Sequence, residues 1–179
     1  ISGVLQSSAN LATYKTSGID FQVDYGFETG LGIIDLRVAG TYLDAYDYLP
    51  FTGGELIELA GFFGGDPAFG NPATFAEWQV NYGVTLTRDD WGANLTARYM
   101  SETDDIDAAP ANLSNVADAI TYFDIQGYYN WNDVTFTVGV RNLTDEEPPY
   151  VTAYDDMNTL QFSYDTQGRY IYGRASVSF

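Results

Sequence analysis

The sequence contains no cysteine and no histidine, a single lysine (Lys15), and two methionines. Each scarcity removes a class of function. Without Cys there is no disulfide framework and no thiolate chemistry. Without His, the commonest general base and the commonest zinc ligand are both missing. No stretch approaches the ~20 apolar residues that a transmembrane helix requires. Positive charge is sparse: seven basic residues stand against 25 acidic ones, a formal charge of −18 over 179 residues. Nucleic acid is excluded as a partner, because affinity for a phosphate backbone depends on Lys and Arg releasing its counterions. The chain opens at Ile1 without a basic n-region and an apolar h-region, so a processed chain or a fragment of a longer one is expected.

What is present is strand-forming material. The hydrophobic share is 45% and the aromatic share 16%, with 15 Tyr and 11 Phe, which argues against disorder. The length suits one domain with a sizeable core. No helical period is sustained; the dominant period is two. Alternation predicts seven strands, at 18–28, 32–44, 77–87, 91–101, 119–130, 133–142 and 169–179, with Ile1–Leu5 as the end of an eighth. The connections alternate in length. "ETGLG" (Glu28–Gly32), "RDDW" (Arg88–Trp91) and "NWND" (Asn130–Asp133) are tight turns, whereas 45–76, 102–118 and 143–168 are long links. An up-and-down meander trimmed at one end and elaborated at the other matches outer-membrane barrels, with short periplasmic turns and long extracellular loops. It places Phe179 on the periplasmic side.

The two faces of each strand differ in kind. Ile19, Phe21, Val23, Tyr25 and Phe27 oppose Asp20, Gln22, Asp24 and Glu28; Val134, Phe136, Val138 and Val140 oppose Thr135, Thr137 and Arg141. The mid-strand arginines Arg37, Arg98, Arg141 and Arg174 all fall on the polar side, as do Asp20, Asp24, Asp35, Asp124 and Gln126. Alternation by itself does not say which face is wet, since a lipocalin-like barrel or a sandwich turns its apolar face inward. The aromatics favour a membrane. Phe27, Trp91, Tyr129 and Trp131 gather at the short-turn ends and Tyr42, Trp78 and Tyr99 at the long-loop ends, like the girdles at two bilayer interfaces. An arginine facing lipid at mid-depth would cost ~2–4 kcal/mol, and none is placed there. The expected fold is all-β, an antiparallel up-and-down transmembrane β-barrel segment.

Near the end of the chain "VRNLTDEEPPYV" (Val140–Val151) interrupts the alternation. Asn142 and Asp145 are turn formers, and Pro148–Pro149 cannot donate to a ladder, so the strand stops there. In "SYDTQGRYIYGRASVSF", Asp165 and Gly168 occupy the first and last positions of a type I turn, and a strand then alternates to Phe179. Together these pieces resemble the C-terminus of the TonB-dependent outer-membrane receptors. The matching positions are Val140, Asn142, Leu143, Asp145, Pro148, Asp165, Gly168, Arg169, Tyr170, Tyr172 and Phe179. The stretch Tyr14–Ala45 is similar to an internal hairpin of the same barrels. One position departs: the fifth before the terminal aromatic, often Gly in that family, is Arg174, with Gly173 beside it.

The resemblance implies a barrel that closes with 22 strands around a plug. Residues 1–179 would then be the C-terminal portion, about seven strands of a larger barrel, with the plug absent from this chain. The whole protein would bind a scarce nutrient outside (siderophore-bound iron, cobalamin, a saccharide or a peptide). It would admit that nutrient when the TonB energy-coupling complex acts on the plug. The implied partners are outer-membrane lipid, the rest of the barrel and plug, the TonB complex and a small-molecule ligand, with no cofactor and no enzymatic activity. The barrel-assembly signal would fall on Phe179, with Val177 its same-face neighbour.

Other candidates carry less. The pairs Asp89–Asp90, Asp104–Asp105 and Asp155–Asp156, adjacent acids in turns or loops, lack the cleft a glycosidase needs, and "DDIDAAPANL" after Thr103 lacks the Gly and closing Glu of a calcium loop, so solvated charge is expected. The polar residues Asp20, Asp24, Asp35, Arg37, Arg98, Asp124, Gln126, Arg141 and Arg174 are candidate lumen-facing contacts for plug or substrate, or solvate the interior and pair with one another. Tyr46, Tyr48, Phe51, Phe62, Phe63 and Phe69 are candidate ligand contacts in a loop, or its internal packing. Rival readings are a complete eight-stranded outer-membrane barrel with a structural or adhesive role, a soluble carbohydrate-binding β-sandwich, and, least supported, a β-rich hydrolase.

Overall fold

A strand that alternates over ten residues presents unpaired N–H and C=O groups along both edges, so it is stable only between neighbours. The computed structural model describes residues 12–65, 72–106, 116–152 and 158–178, and its regular elements there are strands without a helix. In chain order they are β1 (Thr13–Thr29), β2 (Gly32–Leu49), β3 (Ile57–Glu58), β4 (Phe62–Gly65), β5 (Pro72–Thr74), β6 (Trp78–Arg88), β7 (Trp91–Met100), β8 (Thr103–Asp105), β9 (Val116–Ala117), β10 (Ile120–Trp131), β11 (Val134–Arg141) and β12 (Tyr170–Val177). The seven long strands lie in the order β1-β2-β6-β7-β10-β11-β12, every pair antiparallel. This is the up-and-down meander that the alternation predicts. The stub at Ile1–Leu5 and the terminal Phe179 lie outside the described residues.

The register carries the two faces across the whole sheet. Val23 faces Val38, which faces Tyr82, then Ala97 and Phe123. One rung on, Asp24 faces Arg37, then Gly83, Thr96 and Asp124. Directly opposed residues share a face, so a slip of one residue anywhere would mix the two sets. Large side chains on the apolar face are uncovered: Val23 is 62% exposed, Val138 67% and Ile171 72%.

The first hairpin differs from expectation in length. β1 begins at Thr13 and β2 ends at Leu49, making strands of 17 and 18 residues, beyond the ~9–11 that span a bilayer. The alternation breaks near Asp44 because a β-bulge sits there: Ser17 pairs with Ala45 but Gly18 with Leu43, leaving Asp44 extra. One extra residue inverts the sidedness of the strand beyond it. Tyr42 therefore stays on the apolar face, whereas Tyr46 and Tyr48, paired with Thr16 and Tyr14, turn to the polar side. There Tyr14 meets both rings, at 5.7 and 4.8 Å between centroids.

The links 45–76 and 102–118 are not simple loops. β3 adds to β2, and a second sheet runs β5-β4-β8-β9, with β4 and β8 parallel. These strands are two to four residues long, too short for a period to register in sequence. They help assemble the buried core, which comprises Phe63, Ala117, Ile120, Tyr122, Val151, Leu160 and Tyr164, with Met100 packed against it. Residues from all three long links meet the upper end of β10 in it. The core thus lies at the long-loop end, while the middle of the sheet has none.

Lower down, two tyrosine rings lie flat over the glycines paired with them. A Cβ added to Gly92 would come 2.4 Å from the Tyr128 ring, and one added to Gly139 equally close to that of Tyr172. Covering a strand glycine with a cross-strand aromatic restores the packing that the missing side chain forfeits. Replacing Gly139 with Val is expected to displace Tyr172, break its hydroxyl's 2.8 Å hydrogen bond to Gln126, and destabilise the sheet by about 1–3 kcal/mol. Thermal unfolding in detergent and the near-ultraviolet circular dichroism of the tyrosines check this, and an unchanged midpoint would show the ring to be freely mobile.

Candidate functional site on the polar face

The polar face is organised from the end of β11. The chain leaves that strand through Asn142 and Asp145, both with positive φ (48° and 60°), a conformation that Asn and Asp tolerate better than other side-chain-bearing residues. Asn142 is fully buried. Its side-chain amide donates to the Glu146 carbonyl and its side-chain carbonyl accepts from the Glu146 N–H, both at 2.8 Å, while its own N–H donates to the Asp124 carboxylate at 2.8 Å. Leu143 N–H donates to the Phe123 carbonyl at 2.6 Å. Asp145 then reaches across to the start of β12, accepting from the Arg169 N–H at 2.8 Å and lying 3.8 Å from its guanidinium. Gly168, at φ 68°, makes that approach close: a Cβ there would sit 3.2 Å from Asp145. The motif residues Asn142, Asp145, Gly168 and Arg169, distant in sequence, form one knot. Tyr170 and Tyr172 follow on the polar face, their rings stacked at 6.2 Å and 18°. Val140 lies on the apolar face, opposite Ile125 and Ile171.

A second tie crosses the face. Arg98 on β7 donates to Asp165 at 2.5 Å, lies 3.4 Å from Asp124, and covers the Tyr122 ring at 5.2 Å. Asp165 belongs to the link 143–168, whose Val151, Leu160 and Tyr164 are buried against Ile120 and Tyr122. That link is therefore folded down onto the polar face and pinned there. Burial pushes the Tyr164 phenol above its ordinary pKa, so it stays neutral at physiological pH.

The remaining candidate residues divide between these ties and open hollows. Asp20, Asp24, Asp35, Arg37, Asp124, Gln126, Arg141 and Arg174 all share the face of Arg98. Arg37 lies 3.6 Å from Asp24 and donates to Gln22; Asp20 accepts from Thr41. A hollow of about 530 Å³ opens over Gly26 and Gly83, flanked by Asp24, Asp35, Arg37 and Asn94. Another of about 300 Å³ lies among Arg98, Asp124, Arg141, Asp165, Gln167 and Tyr170.

The loop aromatics part company. Phe63 and Tyr48 are buried, Tyr46 stacks on Phe75 at 4.7 Å, and Phe51 is 53% exposed. Phe62 lines a separate hollow of about 470 Å³ with Glu77, Glu102 and Asp104; Phe69 lies outside the described residues. Expected as solvated, Asp105 is instead buried at 5% exposure, because β8 carries it into the second sheet. Asp89 and Asp90 are exposed in their turn, and Asp155–Asp156 lie outside the described residues. Among the described residues no group of three or more ligating side chains is arranged to hold a metal ion. The pinning of the last link by Arg98 was missed in sequence, and its one signal there was an arginine alternating with polar neighbours.

The sheet, its two faces and the knot define the class: an antiparallel β-barrel wall. The family model described as the β-barrel of TonB-dependent receptor-like proteins matches residues 2–143. The chain belongs to that family. Asn142 and Leu143 fall inside the matched segment, and the motif from Asp145 onward lies beyond it. Among solved structures, one described as the copper transporter OprC is similar at 16% identity and a TM-score of 0.42, over 96% of this chain and 29% of that one. The chain thus spans less than a third of that protein's length. No curated protein sequence matches it.

Two substitutions separate the ties. Asn142→Ala is expected to destabilise the folded protein by about 1–3 kcal/mol, because it strands the Glu146 backbone groups that the amide satisfies; the thermal midpoint in detergent measures this. Arg98→Gln should leave stability within about 1 kcal/mol, as befits a half-exposed ion pair, yet release the link 143–168. Faster cleavage of that link in limited proteolysis is the expected readout, and an unchanged rate would show that the apolar core alone holds it.

Proposed function

We propose that this chain is part of the wall of an outer-membrane receptor that takes up a scarce nutrient in a TonB-dependent manner, a binding and transport role without catalysis. One observation carries the reading. Across seven strands the register gathers most of the exposed apolar side chains on one uncovered face and every mid-strand arginine on the other. Uncovered apolar area of this extent is stable against lipid and unfavourable against water. A soluble sandwich would cover it with a second sheet, whereas the second sheet here is small and gathered at the long-loop end. Family membership supports the same direction.

On this reading the polar face, with Asp20, Asp24, Asp35, Arg37, Arg98, Asp124, Gln126, Arg141 and Arg174, lines the lumen and meets the plug or the passing ligand. Residues 1–179 form the C-terminal portion of the barrel, and the rest of the barrel, the plug and the TonB complex are its partners. Phe179, with Val177 on the apolar face at the end of β12, serves as the assembly signal. The nutrient is siderophore-bound iron, cobalamin, a saccharide or a peptide.

Cysteine labelling of the full-length protein in intact outer membranes tests this. Cysteines at Val84 or Val138 should resist a water-soluble maleimide and accept a membrane-partitioning one, while cysteines at Thr96 or Thr137 should show the opposite preference. Equal aqueous labelling of both sets would overturn the membrane assignment, and nutrient uptake that persists without TonB would overturn the coupling.

A further inference from the structure

Basic residues are rare in this chain, and their placement is uneven. Of the seven, Arg98, Arg141, Arg169 and Arg174 all lie on or beside β7, β11 and β12. The polar face of β1 and β2, by contrast, holds Asp20, Asp24, Glu28 and Asp35 with one arginine, Arg37, opposite Asp24. The polar face of β11 and β12 carries no acidic side chain at all: it presents Arg141, Gly139, Thr137 and Thr135 opposite Tyr170, Tyr172, Arg174 and Ser176. The polar face is therefore divided into an acidic half and a basic strip.

The arginines of that strip are not equally engaged. Arg98 is held by Asp124 and Asp165, and Arg169 by Asp145. Arg141 and Arg174 are exposed and make no ion pair or hydrogen bond among the described residues. Asp124 and Asp165, which line the same hollow as Arg141, are both paired with Arg98. Arg141 opens onto the hollow of about 300 Å³ beside Gln167 and Tyr170. Arg174 lies four residues along β12 from Tyr170, the residue opposite Arg141, a separation of roughly 13 Å. Between them run the stacked rings of Tyr170 and Tyr172, the latter fixed by its bond to Gln126.

We propose that the β11–β12 strip is a binding track for an anionic small solute bearing carboxylate or phosphate groups. Arg141 and Arg174 supply the guanidinium contacts, and the tyrosine pair forms the surface between them. The inference rests on the reading that the polar face is the wet lumen, and it narrows the nutrient to an anion. The planar guanidinium matches either oxyanion with two parallel hydrogen bonds. In a chain of charge −18, most of the surface repels such a solute, and a local strip of opposite sign concentrates it where the repulsion is relieved.

Titration calorimetry on the detergent-solubilised full-length protein at low ionic strength, with citrate and with inorganic phosphate as probes, tests the assignment. The proteins compared are the wild type, R141Q/R174Q, and R88Q, which removes a basic residue at the short-turn end. Wild type and R88Q should bind at least one probe equally, and the double variant should bind it roughly tenfold or more weakly. A preference for citrate identifies carboxylate as the recognised group, and a preference for phosphate identifies phosphate. Failure of the wild type to bind either probe, or equal weakening in R88Q, would overturn the track. Heat-dependent gel mobility checks that the double variant is folded; if it is not, R174Q alone carries the same comparison. TonB-dependent uptake that persists without anion binding would sink this inference and leave the proposed function standing.

Discussion

Backbone hydrogen bonding between neighbouring strands, in one uninterrupted register, is the constraint on which everything else here depends. In hydrocarbon there is no water to satisfy an exposed N–H or C=O, so a membrane-crossing chain must pair every such group internally, and strands can do so only within a closed ladder. The same register sorts the side chains. Because the strand period is two, a ladder that holds Val23 opposite Val38 also holds Asp24 opposite Arg37. Geometry, and not any individual attraction, keeps the mid-strand arginines Arg37, Arg98, Arg141 and Arg174 off the apolar face.

The departures from regularity are as informative as the ladder. The bulge at Asp44 lies in the long first hairpin, and it swings Tyr46 and Tyr48 to the polar side. The knot of Asn142, Asp145, Gly168 and Arg169 ends one strand and begins the next. Arg98 ties the intervening link back to the wall. Each device secures loop material that sheet hydrogen bonding does not reach. The buried core is correspondingly displaced to the long-loop end, and the apolar face of the sheet is left uncovered.

The charge pattern follows a similar logic. An acidic chain can place acids almost anywhere that water reaches, but each of its few basic residues represents a local choice. Four of the arginines, Arg37, Arg88, Arg98 and Arg169, pair with carboxylates. Arg141 and Arg174 do not, and their exposure on a strip without acids is what gives the polar face direction from β1 to β12.

How much of this was legible beforehand varies with the range of the interaction. Strand existence, the tight turns and the division into faces were readable because they depend on neighbours one or two residues apart. Five of the long strands, from β6 onward, fall within two residues of the predicted limits. The terminal motif was also recognisable as residue types at fixed spacing. The bulge was not, because an extra residue looks like the end of a strand until its partner is known. Nor were the second sheet, the burial of Asp105, or the Arg98–Asp165 pair, whose partners lie 67 residues apart. Sequence by itself determined the alternation, and with it the two kinds of face. Only the tertiary structure decided which residues on the polar face meet and which arginines stay unpaired, because that depends on the register between strands and on how the long links fold back over them.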